Sequence, residues 1–459
     1  MKSIVLAVVV TVSLAAQDHP ATESSIRHAT VIDVTTGAEL KDQTVRIHDT
    51  RIISIALTQD SDAAPNSIDA HGAYLIPGLW DMHVHVHDVD ELPLYIANGV
   101  TGIRIMSGER DTPARRAELA RQFTTPEIYL ASAIVDGDPP IWPGSIVVKN
   151  PAAARRTVDE IKASGADFVK VYNHIPRDAY FAIADEAKQQ HIPFAGHVPD
   201  AITAQEASAA GQRSIEHLTG LALACSSKQD QLTEENLHAP MPRDHFVIVA
   251  RAYQSFDNAK CQALFEEFRR NQTWQVPTLT VLQLSGRLDD RRYLSDPRLA
   301  YIDRKFRERW DQRTDFQRRH WTYQQFEMNR SIFSADKKIV DAMFRAGVPM
   351  MAGTDAMNPY CFPGFSLHDE LAMLVESGVT PLAALQMATI NPARFMEKTA
   401  DLGTIEPGKI ANLVLLRADP LADIHNTNQI EAVWLEGKYF NRDALSGMLE
   451  KAKETAKHN

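Results

Sequence analysis

The sequence is poor in cysteine, in basic charge and in long apolar stretches. Its 459 residues contain only three cysteines and carry a formal net charge of -11 at pH 7. Because nucleic-acid-binding surfaces are normally basic, this charge argues against nucleic acid and favours a small molecule as the partner. No later stretch offers the roughly 20 apolar residues of a membrane helix, so we expect no stable membrane anchor. Internal repeats and low-complexity tracts are also absent. The sequence composition leaves open whether the protein is a homo-oligomer.

The N-terminus has the pattern of a secretory signal peptide. Lys2 precedes an apolar run from Ile4 to Ala16, and polar residues follow from Gln17 onward. The run is too short to span a bilayer and ends in small residues. The pattern therefore predicts a signal peptide over residues 1–16 and an exported protein, periplasmic or secreted. A buried N-terminal strand or helix is the alternative. No cysteine follows the run, which argues against a lipoprotein anchor.

The three cysteines are compatible with one disulfide and one free thiol in an oxidising compartment. Cys225 and Cys261 lie in the same polar segment and are the favoured pair, which leaves Cys361 free. Three unpaired buried thiols are an equally weighted alternative.

Both ends of the mature chain are rich in short β-type runs. Residues 22–76 contain segments such as TVRIHD and RIISIAL, and residues 403–445 contain ANLVLL and EAVWLEG. Gly and Asp separate these runs, which is typical of strands joined by turns. We predict a small β-sandwich domain assembled from both termini, with residues 446–459 as a C-terminal tail.

The middle of the chain, residues 77–402, alternates short apolar strands with amphipathic helical stretches. Eight candidate strands begin near residues 79, 100, 127, 167, 192, 213, 274 and 349. Repeated βα units favour an α/β fold of the TIM-type (β/α)8 barrel class, in which functional residues follow the strands. Two polar, helix-rich insertions, about 221–273 and 283–343, interrupt this pattern. We interpret them as helices over the barrel mouth that could form a lid, with ordinary surface helices as the alternative.

Histidines and one aspartate lie at the ends of these strands. His83 and His85 are two apart on one strand, so both side chains can face the same side. His197 and His217 each close a later strand, and Asp355 closes the last. Buried imidazoles and a carboxylate need polar partners, and together they form a ligand set suited to zinc or a similar divalent metal. Each histidine alone is equally compatible with a satisfied core residue.

Two neighbouring residues have different interpretations. His87 shares the spacing of His83 and His85 but should lie beyond the strand end, in the loop. Lys170 in DFVKVY carries an ammonium group, which has no lone pair to offer a metal. From the residue type alone we favour a lysine paired with a nearby carboxylate.

Taken together, the motifs PGLWDMHVHV, AGTDA, PLAALQMATINPARFM and GTIEPGKIANLVLL, with the strand-end Lys and His residues, resemble the amidohydrolase superfamily. The resemblance is greatest to its imidazolonepropionase-like and prolidase-like branch, and it extends over about residues 26–440. It implies that Lys170 is carbamylated by carbon dioxide and bridges two divalent metals, with zinc as the expected metal. It assigns His83, His85 and Asp355 to one metal and His197 and His217 to the other.

This resemblance implies hydrolysis of a C–N bond in a small molecule such as a dipeptide, an N-acyl amino acid or a cyclic amide. A hydroxide shared by the metals would attack the carbonyl, with Asp355 as the catalytic proton carrier. The same site would also attack an ester, lactone or organophosphate, which is the second hypothesis. A catalytically silent barrel used for binding is the third. Tyr172, His174, Trp142 and Arg104 are the candidate substrate contacts, with loop packing as the alternative.

Overall fold

The computed structural model describes residues 23–59, 66–121, 124–239, 242–315 and 318–458. The predicted signal peptide, residues 1–16, lies outside these ranges. Within them, no helix combines the length and the apolar character needed to cross a membrane.

The strands of the structure are short and mostly buried, and they form three sheets. They are β1 (Glu23–Asp33), β2 (Ala38–His48), β3 (Arg51–Leu57), β4 (Asn66–Asp69), β5 (Tyr74–Pro77), β6 (Leu79–Val84), β7 (Val100–Ile105), β8 (Glu127–Leu130), β9 (Val135–Asp136), β10 (Ile146–Val147), β11 (Val169–Val171), β12 (Phe194–Gly196), β13 (Ser214–Glu216), β14 (Trp274–Val276), β15 (Leu413–Leu416), β16 (Ile430–Leu435) and β17 (Lys438–Asn441).

Strands from the two ends of the chain share the first sheet. Its order is β17-β16-β15-β5-β1-β2-β3, with β4 beside β1. The prediction of a two-layered sandwich differs from this single sheet. The sheet bends so that β3 approaches the residues before β15, where Arg51 bridges Ile410. Because the sheet curves back on itself, one face encloses its own apolar core, which includes Val45, Leu75 and Trp434.

The other two sheets contain seven of the eight predicted barrel strands, and all their pairings are parallel. One sheet has the order β6-β7-β8 and the other β10-β9-β11-β12-β13-β14. An isolated parallel bridge from Ala131 to Phe168 joins the two sheets. The predicted eighth strand, residues 349–355, is joined to its neighbours only by isolated bridges, from Met350 to Gln275 and from the following residue, Ala356, to Val84. Among the described residues there is therefore no continuous ladder around all eight segments.

The helices lie between these strands and in the insertions. They are α1 (Leu92–Ala97), α2 (Thr112–Leu119), α3 (Pro151–Ser164), α4 (Arg177–Gln189), α5 (Ala204–Ala209), α6 (Leu221–Ala224), α7 (Gln229–Leu237), α8 (Pro242–Gln254), α9 (Asn258–Asn271), α10 (Leu279–Ser285), α11 (Arg304–Arg309), α12 (Tyr323–Arg345), α13 (Phe365–Glu376), α14 (Pro381–Met387), α15 (Ile390–Phe395) and α16 (Arg442–His458).

Helix α3 illustrates how the local sequence sets a helix beside the sheet. The Asn150 side chain accepts a hydrogen bond from the backbone N–H of Ala153, and Pro151 occupies the first turn. Gly165 ends the helix with a φ of 78°, which a glycine adopts without a steric penalty. The apolar face, with Val158 and Ile161, is buried in the main core. This helix is one of the amphipathic stretches that the sequence predicts between the strands of residues 77–402.

The two insertions are helical, as predicted. The first contains α6 to α9, and the second contains α11, most of α12 and short 3-10 turns. A disulfide between Cys225 and Cys261 links the end of α6 to α9, and Cys361 is free and buried.

The predicted tail, residues 446–459, is instead part of α16 as far as His458, where buried Ala452 and Ala456 mark its apolar side.

Candidate metal centre

The strand ends bring the predicted ligands together at one end of the parallel sheets. His83 lies on β6, Lys170 on β11, and His197 and His217 directly follow β12 and β13. All of them line one cavity together with His85 and Asp355. The imidazole ring of His83 lies 4.4 Å from that of His217 and 5.6 Å from that of His85, measured between centroids. The rings of His197 and His217 are 4.9 Å apart.

His83, His85 and Asp355 form the tightest part of this cluster. One ligand atom from each lies within 4.8 Å of the other two. His83 Nε2 is 3.5 Å and His85 Nε2 is 2.9 Å from Asp355 Oδ1. Neither His83 Nε2 nor Asp355 Oδ1 has a hydrogen-bond partner of acceptable geometry, although both atoms are buried. Leaving such atoms unsatisfied is costly, so their convergence fits a divalent metal between them.

Hydrogen bonds fix the orientation of three of the imidazole rings. The Nδ1 atoms of His83, His197 and His217 donate to Glu216 Oε2 at 2.7 Å, Asn173 Oδ1 at 2.7 Å and Thr278 Oγ1 at 2.6 Å, respectively. The Thr278 hydroxyl proton is itself donated to the Pro277 carbonyl, so its oxygen acts as the acceptor. With Nδ1 protonated, each neutral ring has its lone pair on Nε2. This is the tautomer that metal-binding histidines adopt when their other nitrogen has an acceptor.

Burial keeps the imidazoles of His83, His197 and His217 neutral. Burial lowers the pKa of His83 and of His197 well below the ordinary value, and it lowers the pKa of His217 to about 4. Burial also acts to raise the pKa of Asp355, but His217 and His85 outweigh this effect and hold the pKa below its usual value. Neutral imidazoles beside a carboxylate are the protonation states that bind a divalent cation.

Lys170 is buried at the centre of the site and is not paired as the residue type alone suggested. In the described part of the chain its Nζ makes no ion pair, and it lies 5.8 Å from the centre of the Tyr172 ring. Burial lowers the pKa of Lys170 to about 8, although Glu216 and Asp355 act in the opposite direction. A larger fraction of this amine is therefore uncharged near neutral pH than for an exposed lysine.

The backbone is strained at two of the predicted ligands. His217 has a φ of 56° and Asp355 a φ of 62°, both in the left-handed region that non-glycine residues rarely adopt. Such conformations concentrate at functional sites because the surrounding structure must hold them in place. Here they turn the side chains away from the strand direction and into the cluster.

Arg104 is a correction to the predicted substrate contacts. Its side chain is fully buried beneath the site, where its guanidinium donates to both carboxylate oxygens of Glu216 at 2.8 Å. It also donates to the Ser214 hydroxyl at 2.9 Å and does not line the cavity. Arg104 can be buried here because its charge is paired with that of Glu216. Glu216 in turn orients the imidazole ring of His83. Sequence reasoning missed Glu216, although a carboxylate within the three-residue buried strand β13 was a usable signal.

The three remaining substrate candidates lie in the cavity wall. Trp142, Tyr172 and His174 all line the cavity, whose volume is about 1240 Å³. Trp142 Nε1 donates to the Tyr172 hydroxyl at 2.8 Å, and the Tyr172 ring lies 4.0 Å from that of His197. The Tyr172 oxygen therefore accepts one hydrogen bond and keeps its own proton to donate. His174 Nδ1 donates to the Pro139 carbonyl oxygen at 2.7 Å.

Both insertions contribute to the cavity wall, as expected for helices over the barrel mouth. Phe246 and Tyr253 of α8 and Ile332 and Asp336 of α12 are among its lining residues. The Tyr253 hydroxyl donates to the buried Asp336 carboxyl and so joins these two helices. Trp310 and Phe306, in or next to α11, extend the aromatic part of the wall. The space above the metal cluster is consequently bounded by helices that the strand pattern alone does not include.

Comparison with known proteins supports the resemblance inferred from the motifs. The model of the amidohydrolase family matches residues 317–439. An imidazolonepropionase of Pyrobaculum arsenaticum (strain DSM 13514 / JCM 11321 / PZ6) is 42% identical over 83 residues, which are 18% of this chain and 20% of that protein. The chain spans only 8% to 26% of the length of the curated relatives it matches.

Solved structures share the fold over nearly the whole chain. A bottromycin amidohydrolase superposes with a TM-score of 0.75 at 23% identity, covering 96% of this chain and 91% of that one. A Xaa-Pro dipeptidase with bound methionine in the active site gives a TM-score of 0.67 at 17% identity, covering 92% and 100%. These neighbours imply a TIM barrel with an extra domain. The suggested resemblance to the amidohydrolase superfamily is confirmed, and the family indicates a hydrolase.

Proposed function

We propose that the protein is a binuclear metal-dependent hydrolase that cleaves a C–N bond in a small molecule. One observation carries this proposal. His83 Nε2 and Asp355 Oδ1 are buried, converge at 3.5 Å, and have no hydrogen-bond partner of acceptable geometry within the described ranges, although His85 Nε2 lies 2.9 Å from the same Asp355 oxygen. A structural histidine–aspartate pair would be expected to satisfy these atoms mutually, whereas a metal site leaves them free for the ion.

The donor set fits two divalent metals, for which zinc is our proposal. His83, His85 and Asp355 would hold one, and His197 and His217 the other, with Lys170 between them. When bound, such metals lower the pKa of water to near 7 and polarise a substrate carbonyl. Imidazole and carboxylate ligands suit zinc, although related divalent metals accept the same set.

Carbamylation of Lys170 would complete this donor set. The reaction joins the uncharged amine to carbon dioxide and releases one proton, which converts a cation into an oxygen-bearing anion. Two observations support carbamylation. Lys170 Nζ makes no ion pair with a carboxylate in the described chain, and burial lowers the pKa of Lys170 to about 8. An unmodified Lys170 ammonium group between two divalent metal ions would instead weaken metal binding by charge repulsion.

The residues of the chain have separable roles in the proposed hydrolysis. Asp355 accepts the proton of the attacking water and delivers it to the departing nitrogen, which yields a carboxylic acid and an amine. Its lowered pKa keeps the carboxylate ionised before the attack. The Tyr172 hydroxyl oxygen accepts a hydrogen bond from Trp142, so its own proton is available for another acceptor. Tyr172 would donate this proton in a hydrogen bond to a substrate oxygen beside His197. Trp142 and His174 would bound the same part of the cavity.

The substrate class we propose is a dipeptide, an N-acyl amino acid or a cyclic amide. The bottromycin amidohydrolase and the Xaa-Pro dipeptidase among the structural neighbours support an amide-like bond. An ester, lactone or organophosphate remains the second candidate, because the same attacking group would act on it.

We further propose that the eight parallel segments close into a barrel and that the protein is exported. The Cys225–Cys261 disulfide supports the proposed export because such bonds persist in oxidising compartments.

Metal analysis combined with a substrate panel tests the proposal. The purified protein is assayed on matched amide and ester analogues before and after chelation, with metal content measured on the same samples. About two metals per chain and chelator-sensitive amide cleavage are the expected result. Two metals with ester cleavage alone would favour the second candidate. No metal and no turnover would favour the silent barrel.

A further inference from the structure

A chain of hydrogen bonds leads from the predicted ligand His197 into the first insertion. His197 Nδ1 is 2.7 Å from Asn173 Oδ1, and Asn173 Nδ2 is 3.3 Å from Asp200 Oδ1. The same Asp200 oxygen accepts from Asn236 Nδ2 at 3.2 Å, and Asn236 Oδ1 is 2.8 Å from His245 Nδ1. Asn236 lies on α7 and His245 on α8, so the chain crosses from the barrel to the insertion.

The donors and acceptors along this chain have only one consistent direction. The Asp200 carboxylate only accepts, so both asparagines must direct their amide N–H groups toward it. Their carbonyl oxygens then face the two histidines and accept from Nδ1 of each. The result fixes His197 with its proton on Nδ1 and its lone pair on Nε2, which is the atom available to a metal.

The surroundings hold this chain in place. A backbone hydrogen bond from Asp200 N to Asn173 O, 2.9 Å long, joins the loops after β11 and β12. The disulfide between Cys225 and Cys261 constrains the insertion before α7 and after α8. Asn236 and His245 therefore belong to a braced helical unit and not to a freely moving loop.

We infer that Asn173, Asp200, Asn236 and His245 form a positioning chain through which the first insertion orients His197 for metal binding. The inference rests on the proposed function, because it requires His197 to be a metal ligand. It assigns the insertion a role in building the metal centre, in addition to bounding the cavity. None of these four residues needs to touch a metal or the reacting atoms.

The expected effects decrease with distance from His197. Removing the direct partner of a ligand histidine typically weakens metal binding by about 10- to 100-fold, so we expect this loss for Asn173→Ala. Asp200→Ala should cost about 10-fold and Asn236→Ala or His245→Ala only about threefold, because intermediate groups partly re-form their contacts. Asp200→Asn keeps an acceptor oxygen and should retain most of the affinity.

Metal titration provides the test, with zinc added to metal-free protein and affinity measured separately for each equivalent. The loss should fall on one equivalent only and should follow the order Asn173, Asp200, Asn236, His245. His238→Ala is the matched control, because His238 directly follows α7, its side chain is 70% exposed, and its imidazole bonds to Glu234. Thermal unfolding of each variant separates misfolding from altered binding, and Asn236→Ala tests the chain if Asp200→Ala fails to fold.

The outcomes separate this inference from the proposed function. A wild-type protein that binds no metal would overturn both. A wild-type protein that binds two equivalents, with all folded variants binding both as tightly as wild type, would overturn the positioning chain alone. Equal weakening of both equivalents would also contradict it, because the chain contacts only His197.

Discussion

The floor and the wall of the cavity are built by different physical means. On the floor, Arg104 and Glu216 form a fully buried ion pair. In the first insertion, the ion pair of Arg251 and Glu235 is partly exposed, with side chains that are 41% and 36% exposed. A buried pair cannot be broken without leaving an unsolvated charge, whereas water replaces a partner at the surface. Loss of one partner should therefore cost more at the buried pair of the floor than at the exposed pair of the insertion.

The largest effect is expected at the floor residue proposed to carry the proton. Asp355→Asn should lower kcat/KM by at least about 10³-fold, because it removes both a metal ligand and a proton acceptor. Asp341→Asn on α12 serves as the control and should retain activity, because Asp341 pairs with Arg345 at the surface. Activity assays with metal content measured in parallel give the answer. Near wild-type turnover of Asp355→Asn would remove this residue from the mechanism.

Lys170 tests whether the floor requires an added anion. Lys170→Ala should lose activity by about 100-fold or more and bind less metal, because the bridging group is absent. Short carboxylic acids added to this variant should restore part of the activity by supplying the missing anion. Mass spectrometry of the native protein should also show one added carbon dioxide unit. Unchanged metal content in Lys170→Ala would contradict the bridging role.

Glu216→Gln and Glu235→Gln compare a buried floor pair directly with an exposed wall pair. Glu216→Gln leaves Arg104 buried without a charged partner and should cost about 3–5 kcal/mol of unfolding free energy. It should also weaken metal binding, because His83 loses its carboxylate partner. Glu235→Gln should cost about 1 kcal/mol or less. Denaturant unfolding measures both, and equal losses would show that the two regions do not differ in this respect.

The disulfide should affect the stability of the wall more than the chemistry of the floor. Cys225 and Cys261 are 36 residues apart, for which the chain-entropy model gives a stabilisation of about 4 kcal/mol. The double substitution of both cysteines by serine should therefore lower the unfolding midpoint while leaving kcat of the folded enzyme within about threefold. Calorimetry and steady-state assays test this, and an unchanged midpoint would be the contrary result.

The wall should also make the stability of the protein depend on pH. Burial raises the pKa of Asp336 to about 7. The folded protein therefore holds this proton up to about pH 7, whereas the unfolded chain releases it near pH 4. Stability consequently falls as pH rises through this window, by up to about 1.4 kcal/mol per pH unit. Asp336→Asn should remove that part of the slope in urea unfolding at several pH values, and an unaltered slope would contradict the assignment.

The sequence by itself determined the local features of this protein. The β-type runs, the amphipathic helices and the strand-end positions of His83, His197, His217 and Asp355 follow from spacing and side-chain chemistry, which are properties of short segments. The residue pattern also favoured Cys225 and Cys261 over the other pairings, and the structure contains that disulfide. The sequence predicted a β-sandwich for the two termini, whereas their strands form one curved sheet. The curvature depends on how strands from distant parts of the chain pair, which local patterns do not specify.

Only the tertiary structure decided which distant residues satisfy one another. Arg104 looked available for a substrate, but Glu216 lies 112 positions away in sequence and neutralises it below the cavity. The contribution of Asn236 and His245 likewise required the insertion to fold back onto the barrel. Burial and charge pairing arise from long-range packing, so a short sequence pattern identifies a reactive side chain but not the partner that sets its charge and orientation.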